Sequence, residues 1–375
     1  MNTKRSVYQL SILLAVLGLV ALGVRFATGH RLAAYGSYVV WGLWVAMYLF
    51  FAGVAAGSFM VASLDLLFRV DTFKGTGRIA LWTAITSLGG GLLSIWVDLG
   101  HLGRIWKVFL EPHFGSVMTQ MVWGYSIFGV ILVTTLYLAI KKPGSPQLRV
   151  AMIVGLAVSI FISGAVGALL GVEASRPFWH VGLLPVQFPF FSATSGVAAL
   201  LVVIGLLGSP DDPRRASQIR VLGIATDVFA GVKLYFLWAF FSQSLYGNVP
   251  ENVAAVELLL FGTYWWVFWI LQILVGTLIP VAVLAMPRAA SGKTAGWMGV
   301  LVLLGLAVAR VNFVLPALAV PELAALTRAF SGPRLQFTYF PSLLEWGVTL
   351  GITGFVMLAF LIGKDRLPLR GEEVA

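Results

Sequence analysis

The sequence predicts an all-α integral membrane protein. About ten transmembrane helices form one domain over residues 1–375, with both termini cytoplasmic. Three observations carry this expectation. Hydrophobic residues make up 59% of the chain and charged residues 11%, against roughly a quarter charged in a soluble domain. Apolar runs of the roughly 20 residues that a spanning helix needs recur along its whole length. The basic residues collect in alternate short loops, as the positive-inside rule requires.

The spans are taken in order. The first, 7–27, follows a charged start like that of a signal peptide. It is long enough to cross, however, and Arg25-Phe26-Ala27-Thr28 is a poor small-residue cleavage site, so it reads as a retained helix. The second, 38–67, carries Gly53 and Gly57 at GxxxG spacing, and the third, 79–98, carries Gly89-Gly90-Gly91. Close helix packing is the plainest role for both. Spans 118–140, 150–171, 186–208, 218–246, 258–286, 295–320 and 342–363 complete the set, the eighth rich in aromatics such as Tyr264-Trp265-Trp266. This order allows two four-helix bundles, 38–171 and 186–320, flanked by the first and last helices.

With the N-terminus in the cytoplasm, the inner segments hold 16 of the 25 Lys and Arg residues and the outer ones 7, while Lys233 and Arg310 lie within spans. The net charge of +10 is therefore a matter of orientation. It forms no basic face with interleaved aromatics, so nucleic acid is excluded as a partner. All four histidines, His30, His101, His113 and His180, fall on the outer side with loops 98–117 and 172–185.

That side is where polar chemistry is expected. A bis-histidine haem needs two histidines within spans, and none is there. With no cysteine, the chain offers no thiolate for an iron–sulfur cluster. No metal site is expected, and the chain holds no evident electron carrier of its own. The stretch DLGHLGRIWKVFLEPH, Asp98 to His113, joins two apolar spans. Leu99, Leu102, Trp106, Phe109 and Leu110 recur at helical spacing while Asp98, His101, Arg104, Lys107 and Glu111 fall mostly elsewhere, predicting an amphipathic interfacial helix. It either anchors the loop or forms a polar wall over a lipid-accessible pocket, where His101 or His113 would exchange protons near neutral pH.

Glu173 and Arg176, three apart and followed by Pro177-Phe178-Trp179-His180, predict an i, i+3 ion pair. They stand otherwise as the far wall of the same pocket. Within spans, Asp65 and Glu345 lie near helix ends, where they can reach the interface. Asp227 and Lys233 are deeper and about 240° apart on their helix, so each needs a partner elsewhere: a buried ion pair or a proton path.

Several segments then resemble one family. Trp41-Gly42-Leu43, Tyr48-Leu49-Phe50-Phe51-Ala52-Gly53 and Ala56-Gly57 are similar to the start of the polysulfide-reductase membrane subunits (NrfD/PsrC-like proteins). Asp98-Leu99-Gly100, Arg104-Ile105-Trp106 and Val122-Trp123-Gly124-Tyr125 resemble that family's loop and following helix. Phe268-Trp269, Gly276, Pro280, Arg310-Val311-Asn312, Tyr339-Phe340-Pro341-Ser342 and Glu345-Trp346 are similar to its ten-helix branch, found beside periplasmic nickel–iron hydrogenases and dissimilatory sulfur complexes. One departure is His101-Leu102, where the family often has Arg-Pro.

The resemblance implies a respiratory subunit in the cytoplasmic membrane of a bacterium or archaeon. It would exchange electrons between menaquinone or ubiquinone and a ferredoxin-like iron–sulfur subunit, and through that with a catalytic hydrogenase or molybdopterin subunit. Asp98 and His101 are then expected to exchange protons, and Arg104, Glu173, Arg176, His180, Trp41 and His113 to line the quinone pocket. The alternatives are a secondary transporter or proton-translocating subunit, with Asp65, Asp227 and Lys233 as its path, and a passive anchor.

Overall fold

The computed structural model describes residues 3–286, 292–323, 325–330, 332 and 334–369; Arg288 and Arg370 of the basic count lie outside them. In chain order the helices are α1 (Thr3–Thr28), α2 (Leu43–Leu66), α3 (Gly77–Asp98), one-turn α4 (Lys107–Leu110), α5 (Val117–Lys141) and α6 (Pro146–Gly171). There follow α7 (Leu184–Leu207), α8 (Arg215–Tyr246), short α9 (Pro250–Leu260), α10 (Ile279–Leu284), α11 (Gly292–Ala319), one-turn α12 (Leu326–Ala329) and α13 (Leu343–Arg366). A π-helical stretch, Val267–Leu278, runs into α10 to make one span. Ten of these helices are long and apolar enough to cross a membrane, and no strand occurs among the described residues. The protein is an all-α integral membrane protein.

Two closed rings of helices build it. In one, α2 packs on α3, α3 on α5, α5 on α6 and α6 on α2; in the other, α7, α8, α10 and α11 do the same. Contacts of α2 with α7 and α11, and of α6 with α7, join them, while α1 and α13 pair and lean on α3. The central helix is α2, with 19 of its 24 residues buried. An element apolar all round can sit only inside.

Small residues set the crossings, since in lipid close backbone approach is what packing rewards. A Cβ at Gly57 would overlap the Ser192 backbone of α7, and one at Gly196 the backbone of Gly57. Gly276 meets Gly305 across the second ring, and Gly18 meets Gly351 between α1 and α13. Gly90 faces Val356 and Phe51, whereas Gly89 faces open space.

Three elements differ from the sequence reading. The second span begins at Leu43 and not at 38, because the loop before it is pinned by the α12–α13 loop: Ser37 N–H donates to the Arg334 carbonyl (3.2 Å) and Tyr38 stacks on Phe337 (4.5 Å). The apolar run 258–286 is broken. Phe261 and Gly262 N–H both turn back to the Glu257 carbonyl (2.9 and 2.8 Å), ending α9, and the span starts afresh at Val267. Lastly, 98–113 is not one amphipathic helix. It is a 3-10 turn, Leu102–Arg104, and the single turn of α4. Trp96 Nε1–H on the Leu102 carbonyl (3.3 Å) and Trp123 Nε1–H on the Val108 carbonyl (3.2 Å) take up its backbone and fold it as a lid.

Candidate functional site

Under that lid, at the end of the first ring, lies a cavity of about 1090 Å³. The lid contributes Leu99, Gly100, His101, Arg104, Ile105 and Val108; α2 contributes Tyr48 and Leu49; α5 contributes Met121, Val122 and Tyr125. Trp41 forms a wall and stacks on the buried Trp179 (5.3 Å between ring centroids). Leu92, Ile105, Phe109 and Met118 line the cavity and are also exposed, so its rim is apolar.

Its polar groups gather at Asp98, the last residue of α3. One carboxylate oxygen, Oδ1, is buried, and so is the Tyr35 hydroxyl; the two side chains face each other closely enough to interact as hydrogen-bond neighbours, and neither atom has another partner among the described residues. Burial first, and then the Asp98 charge, push the Tyr35 phenol well above its ordinary value, so it stays protonated and keeps a proton to donate. Beside it, Arg25 donates Nε–H to the Val97 carbonyl (3.0 Å) and an Nη2 proton to the Leu99 carbonyl (2.9 Å). These are carbonyls that the end of α3 leaves unpaired. Arg25 Nη2 also donates to His30 Nε2 (2.5 Å). Burial, followed by the charges of Arg25 and Arg334, lowers the His30 pKa. The imidazole is therefore neutral at pH 7, with its proton on Nδ1. A turn or two deeper, Tyr48 and Tyr125 meet edge to face (5.8 Å).

Trp41, Asp98, His101 and Arg104 thus share one cavity wall, with His101 and Arg104 exposed at its rim. The other expected pocket residues lie elsewhere. His113 is outside the cavity lining and exposed. His180 Nδ1 sits 2.7 Å from the Gly171 carbonyl, at the end of α6. Glu173 and Arg176 form no ion pair with each other. Arg176 instead meets Glu322 (2.9 Å) and donates to the Ala317 and Val320 carbonyls (3.1 and 3.0 Å), because a guanidinium fork suits the unpaired carbonyls at the end of α11. Burial lowers the Arg176 pKa and Glu322 opposes it.

Asp65 accepts N–H bonds from Gly75 (3.0 Å) and Gly77 (2.7 Å) at the start of α3. Lys233, 3% exposed, donates to Thr277 Oγ1 (2.5 Å), and Asp227 leaves Oδ1 unpaired. No ion pair joins the two.

Sequence reasoning does not single out Tyr35, His30, Tyr48, Tyr125 or Glu345 as site residues. Tyrosines near span ends look like interfacial anchors. Glu345 carries a readable signal, the capping box Ser342-x-x-Glu345, which the structure forms.

A model of the family described as "Polysulphide reductase, NrfD" matches residues 32–322. The chain is 28% identical to a subunit of the selenate reductase of Mesobacillus selenatarsenatis, covering 99% of this chain and 95% of that protein. It is 24% identical to the Hdr-like menaquinol oxidoreductase integral membrane subunit of Archaeoglobus fulgidus (98% and 95%). It is 21% identical to the menaquinone reductase integral membrane subunit of Nitratidesulfovibrio vulgaris (95% and 89%). With 32–322 taking in all of α2 to α11, this chain belongs to the NrfD, or polysulphide reductase, family.

Proposed function

We propose that the chain is the quinone-reactive membrane subunit of a respiratory oxidoreductase complex. One observation carries the reading: a large apolar-rimmed cavity holds a buried donor, the Tyr35 hydroxyl, beside a buried acceptor, Asp98 Oδ1, and among the described residues the two have only each other. Buried polar groups are normally paired. A quinol hydroxyl or a quinone carbonyl would complete their pairing, and exposed Leu92, Ile105 and Met118 give an isoprenoid tail its way in. Relatives named for menaquinol and menaquinone favour menaquinone over ubiquinone.

Quinol oxidation releases two protons and two electrons. The Asp98 carboxylate takes a proton from the quinol hydroxyl, Tyr35 holds the oxygen by donating to it, and neutral His30 keeps its place through Arg25. His101, at the exposed rim, takes the second proton, and both protons leave to water there. The electrons leave to a ferredoxin-like iron–sulfur subunit docked on the histidine-bearing face, and through it to a hydrogenase or molybdopterin subunit; quinone reduction is the reverse. The Lys and Arg count supports that face lying outward with both termini in the cytoplasm, and the family resemblance supports the cytoplasmic membrane.

In the purified complex, Asp98→Asn should lower quinol turnover about 100-fold, the lower end of what general-base removal costs, without loss of assembly. Unchanged turnover would leave a passive anchor. A second reading, proton translocation, is favoured by Lys233, a buried cation whose hydrogen-bond partner among the described residues is a neutral hydroxyl. It predicts that Lys233→Met abolishes proton flux in proteoliposomes while electron transfer continues.

A further inference from the structure

Glu345 lies on α13, outside the first ring and outside the segment 32–322 that the family model matches. It is fully buried, yet it is bound on every side. Its Oε2 accepts from Ala34 N–H (2.8 Å) and Ser342 N–H (3.0 Å), and its Oε1 accepts from the Tyr339 hydroxyl. The Tyr339 oxygen in turn accepts from Leu43 N–H (2.8 Å), and the Glu345 carbonyl accepts from Trp44 Nε1–H (3.2 Å). One carboxylate therefore ties the loop residue next to Tyr35, the first turn of α2 and the start of α13.

The meeting point is Gly42. A Cβ there would stand 2.5 Å from Glu345 Oε1, 2.6 Å from Tyr35 Cδ1 and 2.7 Å from the Tyr339 hydroxyl. Capping α13 accounts for Ser342 N–H alone. It does not account for the bond to Ala34 or for the Tyr35 ring at the same point.

We infer that Glu345 is a positioning residue of the quinone site: from α13 it sets where the Tyr35 hydroxyl stands against Asp98. The inference rests on the quinone reading above and adds that the α1–α13 pair completes the site. Other charged groups also face this corner. Arg334 donates to the carbonyls of Tyr35 (3.2 Å) and His30 (2.6 Å), and Arg25 lies beyond His30, so the loop has other ties besides Glu345.

A double-mutant cycle in the assembled complex tests this, with quinol oxidation as the readout. Glu345→Gln should lower kcat about tenfold and leave KM within about twofold, because the cavity still holds the quinone while the donor is misplaced. In a Tyr35→Phe background the same change should cost less than about twofold, since the group it acts through is gone. Losses that multiply would overturn the inference and leave Glu345 a helix cap. Unchanged kcat in Tyr35→Phe alone would instead sink the quinone reading at Tyr35, and this inference with it. Should Glu345→Gln fail to assemble, Tyr339→Phe, which removes one hydroxyl, takes its place in the cycle and is judged by the same outcomes.

Discussion

The two rings of helices both bury polar groups in lipid, but they set them against very different amounts of open space. In the α7–α11 ring several polar groups serve each other, and two that leave an atom open, Gln187 and Asn312, line only a small space. Asn312 Nδ2–H donates to Gln272 Oε1 (2.7 Å), Lys233 donates to Thr277, and Thr277 donates to the Gln272 carbonyl (2.8 Å). The space left beside Arg310, whose guanidinium lies over Phe188 (4.2 Å), is about 30 Å³, room for little more than a water molecule. In the α2–α6 ring, Tyr35 and Asp98 face about 1090 Å³ with only each other as partners among the described residues. A polar group that is satisfied holds structure, and one left open beside a cavity awaits a ligand.

The sharpest way to break the comparison is to make the same steric change in each ring. Gly42→Ala drives a methyl against three groups of the quinone corner, and Gly305→Ala drives one into the backbone of Gly276. Overpacking of this kind costs about 1–3 kcal/mol, so both variants should melt earlier in detergent. Only Gly42→Ala should also lose quinol turnover, by at least about tenfold if Tyr35 is displaced. Equal loss of turnover in both would mean that the rings are not functionally distinct.

The spans are legible in the sequence because lipid makes a simple demand, about 20 apolar residues with their backbone bonds made internally. Asp98, His101 and Trp41 are legible for the converse reason, as polar or amphipathic groups at the edge of such runs. Glu345 reads as another helix-end group reaching the interface. Its burial comes from loop 29–42 folding over it, a contact more than 300 residues away in sequence, as the Ala34 bond spans 311. Spacing gives Arg176 the nearest carboxylate, Glu173, where the fold supplies Glu322. The break after α9 is hidden because Phe261-Gly262-Thr263-Tyr264 keeps the apolar run going.

A smaller effect is expected at Lys233. Replacing a buried cation with an apolar residue of similar length removes its desolvation cost along with its hydrogen bond. Lys233→Met should leave quinol oxidation within about twofold, as its hydrogen bond goes to Thr277 within the second ring, and should hold or raise the melting temperature. A large fall in quinol turnover would show that the second ring takes part in the quinone chemistry.

The smallest effect distinguishes the rings by pH. All four histidines lie in or beside loops 29–42, 99–116 and 172–183, and the loops after α8 and α11 have none. His30 has its pKa lowered in the folded protein by burial, then by Arg25 and Arg334, from an ordinary value near 6.5. Above that value both folded and unfolded chains hold a neutral imidazole, and the stabilising interaction is fully present. As pH falls below it, the unfolded chain binds a proton that the folded one still refuses, so stability declines until the lowered folded pKa is passed. A His30→Gln variant keeps an acceptor for Arg25 and cannot titrate. Melting of the purified protein between about pH 7.5 and 5 should therefore fall less steeply for His30→Gln than for wild type, by the slope of at most one proton. Equal slopes would mean that Arg25 is not held by a neutral histidine, and the polar roof of the cavity would owe its place to Arg334 and Glu345 alone.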